Sequence, residues 1–93
     1  MILKRSDRFE IEIEEIIDFI AMDSPNRALA FYDELIVKIN EIPLSPYIYR
    51  VQSSSYDTAL RELIFKGYTV PFFIDFKKEM IIILGIFNQN MWE

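Results

Sequence analysis

Two helical stripes meet at a three-residue break, and that break constrains the fold more than any other feature. From Phe9 the apolar residues Ile13, Ile16, Ile17 and Ile20 fall at i+4, i+7, i+8 and i+11, which is one face of an amphipathic helix. Asp23-Ser24-Pro25 then interrupts the pattern. Ser24 is a good N-cap, and Pro25 suits the first helical position, where its missing N–H costs nothing. A second stripe follows: Ala28, Phe31, Tyr32, Leu35, Ile39 and Ile42, broadened by Leu29 and Ile36. The second helix should stop before Pro43. So short a connection makes the two helices antiparallel neighbours, and their shared apolar face must be covered by the rest of the chain.

The cover comes from the second half. The residues 43–57 read as a loop, with two Pro, four Ser and three Tyr. "ALRELIFK" follows and ends at Gly67. "YTVPFFIDF" alternates weakly and holds Pro71, which marks an edge or a bulge. "KKE" is a turn, and "MIIILGIF" is apolar on both faces, as a central strand would be. The expected architecture is α+β: a helical hairpin packed on an antiparallel three-stranded meander, with "MILKR" as a possible first strand. Asp7 and Glu10 have the spacing of a capping box at the start of the first helix, with Ser6 as a competing cap. The 93 residues are expected to form one domain.

Composition removes several chemistries. There is no Cys, hence no disulfide and no thiolate nucleophile, and no His, which disfavours zinc and removes the usual acid/base group near neutral pH. No cofactor is expected. Neither a signal peptide nor a membrane span is legible, which points to a cytoplasmic protein. The net charge is −5. Residues 1–45 hold ten acids and five bases, and residues 46–93 hold five of each. Bulk electrostatic attraction to nucleic acid is therefore disfavoured, so no direct binding to free nucleic acid is expected. With 52% apolar residues in so small a chain, some apolar surface should remain for a partner, or for a second copy in a homodimer.

Several side chains are candidates for a site. Glu10, Glu14 and Asp18 share a helix face and could offer oxygens to a hard cation, but a solvated face explains them better. Arg61 shares its strand face with Leu63 and Phe65, so its charge needs either an acidic neighbour or a binding role. Tyr47, Tyr49, Arg50 and Tyr56 cluster in the loop, where they could anchor a partner, stack on nucleotides or pack on the sheet. Lys77 and Lys78 read as solubilising turn residues. The chain closes on "LGIFNQNMWE", where Asn88, Gln89 and Trp92 could contact a target. Amides there can donate hydrogen bonds, but they cannot serve as general acids or bases near pH 7.

In order and spacing these segments resemble the RelE/ParE superfamily of toxins from type II toxin–antitoxin modules, also known as plasmid stabilisation proteins. "RALAFYDELIVKINEIPLSP" resembles the family's second helix, and "ALRELIFKGYTVPFFIDFKKEMIIILGIF" its sheet. Arg61-Glu62-Leu63, Gly67-Tyr68 and Phe73 fall where the family has matching residues, and the start of the strand is closer to the ParE branch than to RelE. The resemblance implies a toxin neutralised by a cognate antitoxin that wraps an apolar segment around it. ParE-like action would block DNA gyrase by stoichiometric binding. A RelE-like alternative would cleave mRNA in the ribosomal A site, with Arg61, Lys66 and Tyr68 as its catalytic residues. A third reading keeps the fold without toxicity, as an interaction protein. This chain departs from the ribonuclease pattern in having Thr69 after Tyr68, where Arg is common, and amides at the end of its last strand. It also departs in charge, since such toxins are commonly basic.

Overall fold

The computed structural model describes residues 1–52 and 57–88. The chain runs β1 (Ile2–Arg5), α1 (Asp7–Asp23), α2 (Pro25–Glu41), two 3-10 turns (Ile42–Leu44 and Pro46–Ile48), β2 (Arg50–Val51), β3 (Leu60–Phe65), β4 (Tyr68–Asp75), β5 (Met80–Ile83) and β6 (Phe87–Asn88).

The helical hairpin forms where the periodicity places it. Ser24 closes α1 through its N–H to the Ile20 carbonyl (2.9 Å), and its hydroxyl accepts from the Arg27 N–H (3.2 Å) at the start of α2. One residue thus ends one helix and begins the next. At the start of α1 the cap is Ser6, whose Oγ accepts from Phe9 N–H at 3.1 Å. Asp7 is the first helical residue rather than the cap, and Glu10 pairs with Arg5 at 2.8 Å instead of closing a capping box. The expected α1 stripe faces the core. On α2, Ala28, Phe31, Leu35 and Ile39 are buried, but Leu29 points to solvent and does not broaden the stripe.

The sheet is larger than a meander. Its strand order is β1-β5-β4-β3-β2, with β6 also paired to β4. The possible first strand is real: β1 lies parallel to β5, with Ile2 opposite Met80 and Arg5 opposite Ile83. The segment read wholly as loop contains β2, which pairs antiparallel with β3. Lys66 (φ 48°) and Gly67 (φ 84°) make the two-residue turn between β3 and β4. Positive φ at both positions matches the right-handed twist of the flanking strands.

The apolar run after Met80 is not one continuous strand. Phe72 faces Ile83, whereas Thr69 faces Phe87, so Leu84, Gly85 and Ile86 stand opposite only Val70 and Pro71. This extra residue is a bulge, and Pro71 explains it. The Pro71 carbonyl accepts from the Leu84 N–H at 2.9 Å, so its missing N–H would face this same strand. The ladder must break there.

Leu63, Phe65, Val70, Phe72, Ile74, Ile81, Ile83 and Ile86 from the sheet side close a single buried cluster with Phe9, Ile13, Phe31, Leu35, Ile39 and Ile42. Tyr68 and Tyr49 pack on its margin. Arg61 lies opposite Phe72 and Tyr68 opposite Phe65, so both share the helix-facing side with the core strands.

Candidate functional site

The candidate residues separate into two places at opposite ends of β3. At its start, Arg61 anchors the segment before β2. Its Nε donates to the Thr58 carbonyl (2.7 Å), and Nη1 donates to the carbonyls of Tyr47 (3.0 Å) and Tyr49 (2.9 Å). Its guanidinium also lies 5.3 Å from the centre of the Tyr47 ring. Three of the five N–H donors of an arginine are therefore committed to backbone acceptors. The sequence allowed for an acidic neighbour, but these partners are carbonyls. Two of them, Tyr47 and Tyr49, lie at the end of the second 3-10 turn, just before β2, and Thr58 lies in the turn before β3.

The acidic partner belongs to the adjacent residues. Arg50 Nε meets Glu62 Oε1 at 2.6 Å, and the Glu62 side chain is only 5% exposed. Arg50 and Glu62 are cross-strand partners on the sheet face away from the helices. Tyr49 turns inward, with its ring edge-on to Phe72 at 5.4 Å. Burial, and secondarily the nearby Glu41 carboxylate, pushes the Tyr49 phenol above its ordinary pKa. Tyr47 is half exposed and Ile48 is 78% exposed. Of the loop cluster, then, Tyr47 and Tyr49 gather round Arg61, Arg50 lies on the other face of the sheet with Glu62, and Tyr56 lies outside the described residues.

The other place lies between α1 and the last strand. A cleft of about 740 Å³ is lined by Glu12, Glu15, Ile16, Phe19, Tyr68, Ile86, Phe87 and Asn88. Tyr68 is held edge-on to Phe31 at 5.4 Å. Lys66, at the β3–β4 turn, pairs with Glu34 of α2, and its ammonium lies 5.4 Å from the Phe65 ring centre. Gln89 and Trp92 lie outside the described residues. Arg61 stands four strand positions from Phe65, the partner of Tyr68, which is roughly 13 Å at about 3.3 Å per residue. Groups that act on one phosphodiester must each come within about 3 Å of it. Arg61, Lys66 and Tyr68 are not assembled in that way.

Two residues that organise this region were not singled out from the sequence. Glu12 Oε1 accepts the Ile86 N–H at 3.1 Å, and its other oxygen meets Arg8 at 3.4 Å. Gly85 permits the approach, because a Cβ there would lie 2.4 Å from Glu12 Oε1. Ser6 Oγ adds a bond to the Leu84 carbonyl at 3.0 Å. The available signal was Gly85 itself, since a lone glycine in a strand pattern marks a bulge or a close approach. As for a hard-cation site, Glu10 is paired with Arg5, and Glu14 and Asp18 are exposed. Among the described residues no group of three or more His, Cys, Asp or Glu is placed to hold a metal ion. No helix among them is long and apolar enough to cross a membrane.

Comparison with known proteins places this geometry. A family model described as the ParE toxin of the type II toxin–antitoxin system parDE matches residues 3–91. Among solved structures, a chain described as the chromosomal ParDE toxin–antitoxin system from P. aeruginosa superposes with a TM-score of 0.76. It shares 19% sequence identity, and the match covers 95% of each chain. At that identity the likeness speaks for the fold. No curated protein sequence matches.

Proposed function

Because this chain belongs to the ParE toxin family of type II toxin–antitoxin systems, we propose that it arrests growth by stoichiometric binding to DNA gyrase and that a cognate antitoxin neutralises it. The observation that carries binding over turnover is the placement of the candidate cations. Arg61 is committed to three backbone carbonyls, and Lys66 is paired with Glu34 at the far end of the same strand. Cleavage of a phosphodiester needs positive charge and proton donors converging where negative charge develops. A binding surface needs only rigid, correctly placed groups, and the anchored segment from Tyr47 to Arg50 offers those.

The test is pulse labelling after induced expression in bacteria that lack any antitoxin. DNA and protein synthesis are followed side by side. The expected result is an early fall in DNA synthesis. A first fall in protein synthesis, with mRNA cleavage that Arg61→Ala, Lys66→Ala or Tyr68→Phe abolishes, would replace this reading with a ribosome-dependent ribonuclease. Unimpaired growth would leave an interaction protein on the toxin fold.

A further inference from the structure

The sheet is apolar on both faces, and the helices cover only one. A sheet with one wet face ordinarily alternates apolar inward and polar outward along each strand. Here the register puts Ile2 of β1, Met80 and Ile82 of β5, Phe73 of β4, and Leu60 and Ile64 of β3 on the side away from the helices. Leu60, Phe73 and Ile82 are cross-strand neighbours in one row, and Met80 and Ile2 pair in the next. Ile2 and Ile64 are 64% and 41% exposed, and the other four are partly buried. The run from Met80 reads as a strand covered on both faces, yet only its inner face meets a cover within the chain. Single exposed apolar residues are ordinary, but a continuous apolar face across four strands marks an interface.

Charge identifies the occupant. The chain carries −5, and α1 alone holds seven acids and one base, with three acids and two bases on α2. On the outer sheet face the strands place Lys4, Asp75 and the Arg50–Glu62 pair, so its charges balance. A second copy docked on this face keeps both acidic helical layers pointing outward. Docking through the helices would instead bring those layers together. Anionic lipid and nucleic acid gain nothing from a balanced face on an acidic chain. Edge-to-edge pairing through β1 is opposed as well, because it would bring together two copies of Lys4 and Arg5. At about 4.8 Å between strands, the five strands in the main order span roughly 20 Å, and the eight residues of β4 run about 27 Å. Each copy therefore offers roughly 500 Å² in plan, which with side-chain relief reaches the small end of specific interfaces, about 600 Å² per partner.

We infer that two copies of this chain pack sheet to sheet through the outer face, with Phe73 and Ile82 near the centre of a two-fold interface. Two such faces about 10 Å apart interdigitate their side chains as the halves of a sandwich do. In a two-fold pair every contact is made twice, so a modest face suffices for a reversible dimer. Arg61 and the segment it anchors lie on the helix side and stay uncovered, so the dimer presents two copies of that surface.

The test is sedimentation equilibrium of the full chain from about 5 to about 500 µM, a range that brackets a micromolar dimer. A monomer–dimer equilibrium is expected. Its Kd should hold or tighten between about 0.05 and 0.5 M salt, because salt screens the repulsion between the acidic layers. Ile82→Lys should raise the Kd at least tenfold. Ile2→Lys with Ile64→Lys should do the same with the thermal melt unchanged, because both side chains are exposed. Phe19→Lys on the helical layer should leave the dimer intact. A monomer throughout the range would overturn the inference, as would a dimer that the sheet variants leave unchanged, one that Phe19→Lys dissociates, or one that salt dissolves. Flotation of the parent chain with neutral phosphatidylcholine vesicles, lost in the sheet variants, would also overturn it, because lipid would then be the occupant.

Discussion

The Glu12 carboxylate accepts the Ile86 backbone N–H at 3.1 Å, across the space that Gly85 leaves open by having no side chain. The contact ties α1 to the bulge that Pro71 forces on the last strand, and so fixes one wall of the cleft. Ile86 is itself in the core, at 2% exposure, so its N–H has little recourse to water.

Removing either side of that contact should have one shared cost. Glu12→Ala leaves the Ile86 N–H unpaired, worth about 1–3 kcal/mol. Gly85→Ala forces the Glu12 carboxylate away and loses the same bond. The double variant should be about as stable as the worse single variant, rather than the sum of both. Urea denaturation of the four proteins measures this, and additive losses would disprove a shared contact.

The two serine caps should differ. Ser24→Ala removes one exposed cap bond, a loss of about 1 kcal/mol. Ser6→Ala removes the cap of α1 and also the bond to the Leu84 carbonyl, so its loss should be larger by about another 1 kcal/mol. Equal melting temperatures for the two variants would contradict the second bond.

Arg61 should act on the segment it holds. Arg61→Ala is expected to cost about 2 kcal/mol and to speed amide hydrogen exchange around residues 47–50, while leaving exchange in α1 unchanged. Arg61→Lys should recover little of this, because one ammonium cannot reach three carbonyls as a planar fork does. Exchange unchanged in Arg61→Ala would show that the segment is held by packing alone.

Tyr49 gives the protein a specific alkaline sensitivity. Its phenol is held above the ordinary pKa by burial first and by Glu41 second. The unfolded chain therefore ionises this group first, from about pH 10, while the folded chain keeps the proton. Stability from this source is complete below pH 10 and is lost as pH rises towards the folded value. Tyr49→Phe should lose stability less steeply between pH 9 and 11 than the parent protein. Parallel curves would refute the assignment.

The sequence by itself determined the helices, the hairpin between them and most of the core. The physical reason is local: a 3.6-residue period, a capping serine and a proline at the first helical turn act within a few residues of chain. Gly67 as a turn and Pro71 as a possible bulge were legible in the same way, and the run from Met80 was legible as strand but not its break after Ile83. Only the tertiary structure decided which neighbours the polar groups meet. Leu29 reads from the sequence as broadening the α2 stripe, yet it is 63% exposed, because at about 100° per residue it lies about 120° round the helix from Leu35. Asp7 and Glu10 have capping spacing, but Ser6 is also placed to bond Leu84, and Glu10 is drawn to Arg5 across the turn from β1. Arg61 reads as a free charge awaiting an acid, whereas the fold brings three carbonyls to it and gives the acid, Glu62, to Arg50. The cleft between α1 and the last strand is likewise tertiary, since the Glu12–Ile86 contact at its wall joins residues 74 positions apart in the chain.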